Sequence, residues 1–379
     1  ELIGAKTYLS VNVGTGTPQE MNQWVEYITS DSRSALAQER RANGRDKGWK
    51  IDYLGIGNET WGCGGNMRPE YYADLYRQYA TFVRPPADKP LVKVASGAHA
   101  GDLKWTEGLM AGAAGELLEA STLHYYTLPT GEWEKKGSAT QFGEAEWIAT
   151  LKGALKIDEF IVQHSAVMDK YDPKKRVALY VDEWGNWLDT EAGTNGAFLY
   201  QQNSLRDAVT AAINLDIFQA HAERVRMANI AQMVNVLQAM ILTDGDRMLL
   251  TPTYHVFDMY QVFQGATSLP VEIDAPEYEF GGVRVPGVHA SAGRDAEGVV
   301  HLALVNPDPN KPVAVGVRLA GLQASSIRGR LLTAPAMNTV NSFDRPDAVR
   351  PVEFAGATLK GELLNAVLPA KSIVVLSLK

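Results

Sequence analysis

The chain has 379 residues, is 45% apolar and 21% charged, and carries a formal net charge of −8, an ordinary composition for a globular protein. No apolar run reaches the roughly 20 residues a membrane-spanning helix needs, and the acidic balance leaves no basic stripe for nucleic acid. A single cysteine, Cys63, excludes an internal disulfide framework.

Residues 1–5 read as the last turn of a helix stopped at Gly4. Strand-like runs follow at 7–13, 51–57, 91–96, 122–126, 176–181 and 236–242, with helical patterns between them at 18–29, 69–83 and 144–171. Pro18 and Pro69 stand where a first helical turn tolerates proline. The stretch 30–47, with Arg40, Arg41 and Arg45, reads as a solvated connection, and 197–219 as a further helix. Strands alternating with helices predict a parallel sheet with helical crossovers.

After about Pro270 the helical periodicity ends. Short alternating runs at 287–292, 299–306, 313–319, 328–333 and 372–378 are separated by turn residues such as Asn306-Pro307-Asp308-Pro309-Asn310 and Gly321. They predict an antiparallel, jelly-roll-like β-sandwich. The expected division is a (β/α)8 TIM barrel over 1–265 and a sandwich over 266–379. Such a barrel closes with eight strands, and six are legible here. The expectation is therefore that 7–13 is the third strand, and that an upstream N-terminal segment or chain completes the barrel with the first two.

Two segments carry the chemistry. Tyr53-Leu54-Gly55-Ile56-Gly57-Asn58-Glu59-Thr60-Trp61 and Val177-Ala178-Leu179-Tyr180-Val181-Asp182-Glu183-Trp184 are apolar runs that each end at a glutamate. A buried parallel strand delivering a side chain to the C-terminal rim of a barrel has this form. On that numbering Glu59 ends the fourth strand and Glu183 the seventh, facing each other across the rim. Paired carboxylates suggest cleavage of a glycosidic bond, one acting as general acid/base and one as nucleophile. The acid needs a raised pKa; Glu59, beside Trp61, fits that part, and Glu183 fits the ionised nucleophile. Asn58 is placed to hydrogen-bond a sugar 2-hydroxyl.

Other features read blandly. Cys63 is a small residue in a Gly-rich loop, since no histidine in its segment would make it a catalytic thiol. His99 and His124 end neighbouring strands, but no HxH or HxxxH spacing supports a metal site, and His255 reads as structural or at the rim. Gly14-Thr15-Gly16-Thr17 lacks the Lys-Ser/Thr of a phosphate loop. Trp61, Trp105, Trp133, Trp184 and Trp187 fall largely after strands, where either core packing or sugar stacking would use them.

Taken together, Gly55-Ile56-Gly57-Asn58-Glu59, Ser121-Thr122-Leu123-His124-Tyr125-Tyr126, Asp182-Glu183-Trp184 and Asn229-Ile230-Ala231-Gln232-Met233-Val234-Asn235-Val236 resemble the motifs of a family 51 glycoside hydrolase, an α-L-arabinofuranosidase. Thr251-Pro252-Thr253-Tyr254-His255-Val256 and Asn341-Ser342-Phe343 fit as well, so the likeness covers nearly the whole chain. The resemblance implies Glu59 as acid/base, Glu183 as nucleophile and Asn58 on the arabinose 2-hydroxyl. It also implies His124 and Tyr126 near the nucleophile, with Tyr126 donating a hydrogen bond to it, and Gln232 touching the furanose from the eighth strand. Trp61 and Trp187 would line the substrate site. No cofactor is implied, and a homo-oligomer, trimer or hexamer, is expected. One departure is visible: Gly185 and Asn186 separate Trp184 from Trp187, where many relatives place Asn directly after the first Trp. The relatives' leaving-group preference is therefore not carried over.

The activity implied is retaining hydrolysis of terminal non-reducing α-L-arabinofuranosyl groups from hemicellulose or pectin oligosaccharides. Another hydrolase of the same clan, such as an endo-glucanase or xylanase, and an inactive truncated sugar-binding fragment remain the alternatives.

Overall fold

A computed structural model describes residues 2–113, 115, 117–322 and 324–379. It contains a parallel sheet in strict chain order: β1 (Tyr8–Val11), β2 (Tyr53–Ile56), β3 (Val92–His99), β4 (Ala120–Thr127), β5 (Ala178–Asn186) and β6 (Val225–Ala228). Helices fill the crossovers: α1 (Pro18–Thr29), α2 (Ala35–Ala42), α3 (Pro69–Phe82), α4 (Leu103–Ala113), α5 (Glu144–Ala154), α6 (Lys156–Tyr171) and α7 (Leu205–Ala220), with α8 (Pro252–Tyr260) after β6. This is the strand–helix grammar of a β/α barrel, and an antiparallel sandwich follows it.

By contacts the chain forms two compact units, which divide within β4 and within β5. The first comprises Glu1–His124, Phe160–Asp182 and Glu223–Met227. Its apolar strands are buried on both faces, as parallel strands under helices must be, with Leu54, Ile56, Val94, Ala95, Ala120 and Leu123 almost without exposure. α1 starts at a capping box: the Thr17 hydroxyl accepts from the Glu20 N–H while the Glu20 carboxylate accepts from the Thr17 N–H, satisfying two helix-end donors.

α3 buries Tyr72, Tyr76 and Tyr79 along one stripe. Their phenol groups reach backbone that the strands leave free. Tyr72 Oη donates to the Ile56 carbonyl at 2.6 Å and accepts from the Ser96 N–H at 2.6 Å, tying the ends of β2 and β3 together. At Gly97 the β3–β4 register shifts. A Cβ there would lie 1.6 Å from the Thr122 carbonyl oxygen, so only glycine permits the approach.

The second unit comprises Tyr125–Glu159, Glu183–Ala222 and Ala228–Lys379. Here α7 is buried on nearly every side and starts at a second capping box, Ser204 with Asp207. The sandwich pairs a six-stranded sheet, in the order Val352–Glu353, Ile327–Leu332, Ser372–Leu378, Val300–Asn306, His289–Arg294, Thr267–Leu269, with a three-stranded sheet of Val313–Arg318, Leu363–Leu368 and Ala357–Lys360. Val300, Leu302, Leu304, Leu364, Leu368, Val374 and Leu376 form its core. The five alternating runs of the sequence are all strands.

Three expectations need correction. The sixth parallel strand is β6, not 236–242; that segment is irregular until β7 (Ile241–Asp244), which turns back as a hairpin onto β8 (Arg247–Leu250). Its apolar residues are buried all the same, Leu237, Ala239, Met240 and Leu242 among them, which is why it mimics a core strand. The stretch 30–47 is no solvated connection: it contains α2, and Arg40 is fully buried, its guanidinium donating to the carbonyls of Tyr27, Ser30, Arg45 and Asp46 and pairing with Asp31. The single helix expected over 144–171 is two, α5 and α6. At the start of the chain Leu2–Ile3 form a turn followed by Gly4 at φ +67°, the left-handed conformation of a helix stop; Glu1 lies outside the described residues.

Candidate active site

In the first unit the site is built on the loop that leaves β2. The chain turns sharply through Gly57 (φ +85°) and Glu59 (φ +44°), a left-handed conformation that costs a non-glycine residue energy and marks a position fixed by its surroundings. The loop is knotted by its own backbone. The N–H groups of Gly62 and Gly64 both donate to the Glu59 carbonyl, at 2.8 and 3.0 Å, and Met67 N–H donates to Thr60. Thr60 is buried with its hydroxyl on Ser96 Oγ. Asn58 is exposed and Glu59 half-buried.

Among the described residues, His124 and Cys63 are side-chain partners of the Glu59 carboxyl. His124 Nδ1 lies 2.9 Å from Oε1, and the Cys63 thiol donates to Oε2 at 3.4 Å. His124 is itself buried, and its other ring nitrogen, Nε2, lies 3.1 Å from Asp182 Oδ1. Asp182 Oδ2 accepts from Tyr8 Oη at 3.0 Å. The result is a line of groups from β1 to the β2 loop: Tyr8, Asp182, His124, Glu59. The hydrogen bond from His124 holds the Glu59 carboxyl below its ordinary value, with burial opposing it. This corrects the expected raised pKa: the local partner is a base that carries a proton, not an apolar wall. Burial, then the Asp182 charge, pushes the Tyr8 phenol well above its usual range, so it stays a donor. Trp61 is half-buried, with its indole N–H on the Gly97 carbonyl at 3.1 Å and its ring against His99.

In the second unit, Glu183 accepts a hydrogen bond from Tyr126 Oη at 2.9 Å. The Tyr126 ring meets Trp187 edge-on at 4.8 Å, and Trp187 meets Trp133 at 4.9 Å. Trp133 is 46% exposed, and the Lys136 ammonium lies over it. These three rings form a graded aromatic wall leading outward from the Glu183 partner. Trp184 turns inward instead and packs on Phe218 and Phe257, and in the first unit Trp105 is likewise core.

The stretch Gly185-Asn186 has a structural use. Gly185 sits at φ +121° with Gln238 against it. Asn186 is buried and donates to Asp207, as does Gln238, at 2.8 and 2.9 Å; Asp207 in turn caps α7. Gln232 follows a cis Ala231–Gln232 peptide and is exposed; its N–H donates to the Val236 carbonyl. It lies in the loop after β6, not on a strand. His255 is on α8, mostly buried.

Within the first unit, then, the structure brings Glu59 and His124 together, and within the second Tyr126, Glu183 and Trp187. Sequence reasoning missed three participants: Cys63, Asp182 and Tyr8. The first two stand inside the glutamate motifs, so proximity in sequence was an available signal; Tyr8 gave none. Glu59 and His124 are of types that ligate metals, and here each offers the other a hydrogen-bond partner. Chemically, the first unit presents a carboxyl hydrogen-bonded to an imidazole, and the second a carboxyl that accepts from a phenol.

The chain is similar to known proteins over its whole length. Residues 182–372 match the α-L-arabinofuranosidase C-terminal domain, and residues 9–146 the α-L-arabinofuranosidase 1 domain. The chain is 47% identical over 380 residues to an intracellular exo-α-L-arabinofuranosidase of Bacteroides ovatus, the match covering all of this chain and 74% of that protein. The fold is similar to the crystal structure of a family 51 arabinofuranosidase from Xanthomonas axonopodis pv. citri, with a TM-score of 0.97 and 53% identity over all of this chain and 76% of that one. An α-L-arabinofuranosidase from Thermotoga maritima, solved with arabinose, shares the fold at a TM-score of 0.82 and 22% identity, over 99% of this chain and 76% of that one.

Proposed function

The chain belongs to the family 51 α-L-arabinofuranosidases, and on that premise we propose that Glu59 and Glu183 are the two carboxyl groups of a retaining hydrolysis of terminal non-reducing α-L-arabinofuranosyl groups. The observation that carries the assignment is the different company the two carboxyls keep. Glu59 shares a proton-bearing contact with His124, as a group that must give and take a proton requires. Glu183 receives the Tyr126 phenol, which favours the ionised form a nucleophile needs.

In the first step Glu183 attacks C1 of the arabinofuranosyl group, and Glu59 gives its proton to the departing glycosidic oxygen. The bond from C1 to that oxygen breaks as the bond from C1 to the Glu183 carboxylate forms. In the second step ionised Glu59 takes a proton from water, whose oxygen displaces Glu183 from C1. Two inversions leave the anomeric configuration retained. Asn58, exposed at the turn before Glu59, is proposed to bind the 2-hydroxyl, and Gln232 another hydroxyl of the furanose. Trp187, and with it Trp61, would bound the site against the leaving group.

Arabinose-bearing hemicellulose or pectin oligosaccharides are the proposed substrates, and a homotrimer or homohexamer the proposed assembly, which light scattering in solution tests. The reaction itself is tested by following hydrolysis of an α-L-arabinofuranoside by proton NMR. First-formed α-arabinofuranose supports the reading, and first-formed β-arabinofuranose overturns it.

A further inference from the structure

Glu59 has a partner, and that partner has partners of its own, reaching back to the first strand. His124 is nearly without exposure and lies between two carboxyl groups, Glu59 Oε1 at 2.9 Å from Nδ1 and Asp182 Oδ1 at 3.1 Å from Nε2. The approach of Asp182 is a charge contact rather than an aligned hydrogen bond, since its Oδ1 has no hydrogen-bond partner among the described residues. A buried carboxylate at that distance favours the doubly protonated, positively charged ring over the neutral one. Asp182 does not drift, because Tyr8 donates to its other oxygen at 3.0 Å from a phenol buried on β1. The Tyr8 ring is in turn held edge-on by Tyr53, and that ring by Tyr180.

We propose that Asp182 and Tyr8 are positioning residues of the acid/base: through His124 they keep the Glu59–His124 pair charged with one proton to higher pH than Glu59 alone could hold it. This rests on the assignment of Glu59 made above. A protonated carboxyl beside a neutral imidazole and a carboxylate beside an imidazolium contain the same proton, and either arrangement can supply it. In the first chemical step the proton ends on the leaving oxygen and the pair is left one proton short. In the second, Glu59 takes a proton from water and the pair is restored. The Asp182 charge stabilises the protonated pair, because it faces the ring nitrogen that Glu59 does not use. Coupled groups of this kind titrate as a unit.

The other titratable groups around the pair are few. Cys63 donates to Glu59 Oε2 from the same loop, His99 acts on Glu59 from the end of β3, and Glu183 is the next residue along β5. Tyr72 and Tyr180 act on Tyr8 from α3 and β5. Asp182 lies 3.1 Å from Nε2, the ring nitrogen that does not face Glu59, so a change at Asp182 acts on the pair through His124.

The test compares kcat/KM against pH for the wild type, Asp182→Asn, Tyr8→Phe and Glu59→Gln, using phenyl and 2,4-dinitrophenyl α-L-arabinofuranosides. The phenyl substrate needs protonation of its leaving group and the dinitrophenyl substrate does not. For Asp182→Asn the alkaline limb on the phenyl substrate is expected to move to lower pH by about one unit or more, and the loss at pH 8 to be about tenfold or greater. The dinitrophenyl substrate should be nearly unaffected. Tyr8→Phe, which removes one oxygen from a buried ring, should move the limb the same way by less; it carries the test alone if Asp182→Asn fails to fold.

An unmoved alkaline limb, with equal losses on both substrates in both variants, would overturn the proposal. Glu59→Gln keeps that failure distinct. If Glu59→Gln is selective for the phenyl substrate while Asp182→Asn is not, only the positioning role falls. If Glu59→Gln loses both substrates equally, the assignment of the acid falls with it.

Discussion

Tyr126 Oη donates to Glu183 Oε2 at 2.9 Å, from a ring only 7% exposed and backed edge-on by Trp187. A phenol held this firmly fixes the orientation of the carboxylate. The consequence is directional: the bond fixes the attacking group, so its loss should cost kcat more than KM. Tyr126→Phe keeps the ring and its packing, and is expected to lower kcat about 10- to 100-fold with KM within a few-fold, by analogy with the loss of one preorganised hydrogen bond. Steady-state kinetics on 4-nitrophenyl α-L-arabinofuranoside decide it. An unchanged kcat would mean the phenol serves packing alone.

Removing the proposed nucleophile itself should be far more severe. Glu183→Ala is expected to lose activity by at least about a thousandfold, as removal of a covalent nucleophile does. With the carboxylate gone, azide can occupy its place and attack C1 once, giving an arabinofuranosyl azide of inverted configuration. Glu59→Ala, by contrast, should give an azide adduct of retained configuration, because the covalent intermediate still forms on Glu183. Identical product configuration from both variants would refute the division of roles.

Much of this site is legible in the chain, for a reason rooted in parallel sheets. A strand buried on both faces must be apolar until it reaches the rim, so Leu54-Gly55-Ile56 and Leu179-Tyr180-Val181 announce the carboxylates that follow them. The sandwich is legible too, because a sheet with one face in its core alternates: the strand Val313–Arg318 alternates partly buried and exposed residues along its length. What escapes the sequence is whatever depends on distant partners. Tyr8 and Asp182 are 174 positions apart, and nothing local to Tyr8 distinguishes it from a core tyrosine. Arg40 reads as a surface charge because its partners are carbonyls, which no side-chain pattern encodes. β6 is four residues long with Arg226 in its middle, while the apolar 236–242 reads more like a strand and is not one.

The loop that carries Glu59 closes on itself at Gly64. A Cβ there would lie 1.9 Å from the Asn58 carbonyl oxygen and 3.1 Å from the Glu59 carbonyl carbon, both backbone atoms with little freedom to move aside. Gly64→Ala therefore has to displace the Asn58–Glu59 peptide. An overpacked contact of this kind costs about 1–3 kcal/mol, and a shift of about 1 Å in a catalytic group can cost about 100-fold in rate. The expected result is a protein that melts only a few degrees lower but whose kcat falls by well over tenfold. A variant with wild-type kcat would show that the loop accommodates the methyl without moving Glu59.

A buried carboxyl on α7 bears on stability against pH. Asp216 on α7 is fully buried, its Oδ1 accepting from Tyr260 Oη at 3.0 Å and from Ser291 Oγ at 2.6 Å. Burial raises its pKa from 3.8 to about 7 despite both hydrogen bonds. A folded pKa raised above the unfolded value means that the folded state holds the extra proton. This stabilisation is fully present below pH 3.8 and falls as pH rises towards 7. His289, two residues from Ser291 on the same strand, is shifted the opposite way, lowered by burial from 6.5 to about 4. Its contribution is fully present above pH 6.5 and is lost as pH falls towards 4.

Over most of that window the two effects oppose each other, so the wild type should show a shallow dependence on pH from this region. Asp216→Asn keeps the shape, removes the falling term and leaves the His289 term exposed. Urea midpoints measured between pH 4.5 and 7.5 are then expected to rise with pH in Asp216→Asn relative to the wild type, each pH unit being worth up to about 1.4 kcal/mol. His289→Gln should do the reverse, its midpoint falling relative to the wild type as pH rises. Parallel curves for all three proteins would show that neither group titrates differently in the folded and unfolded chains.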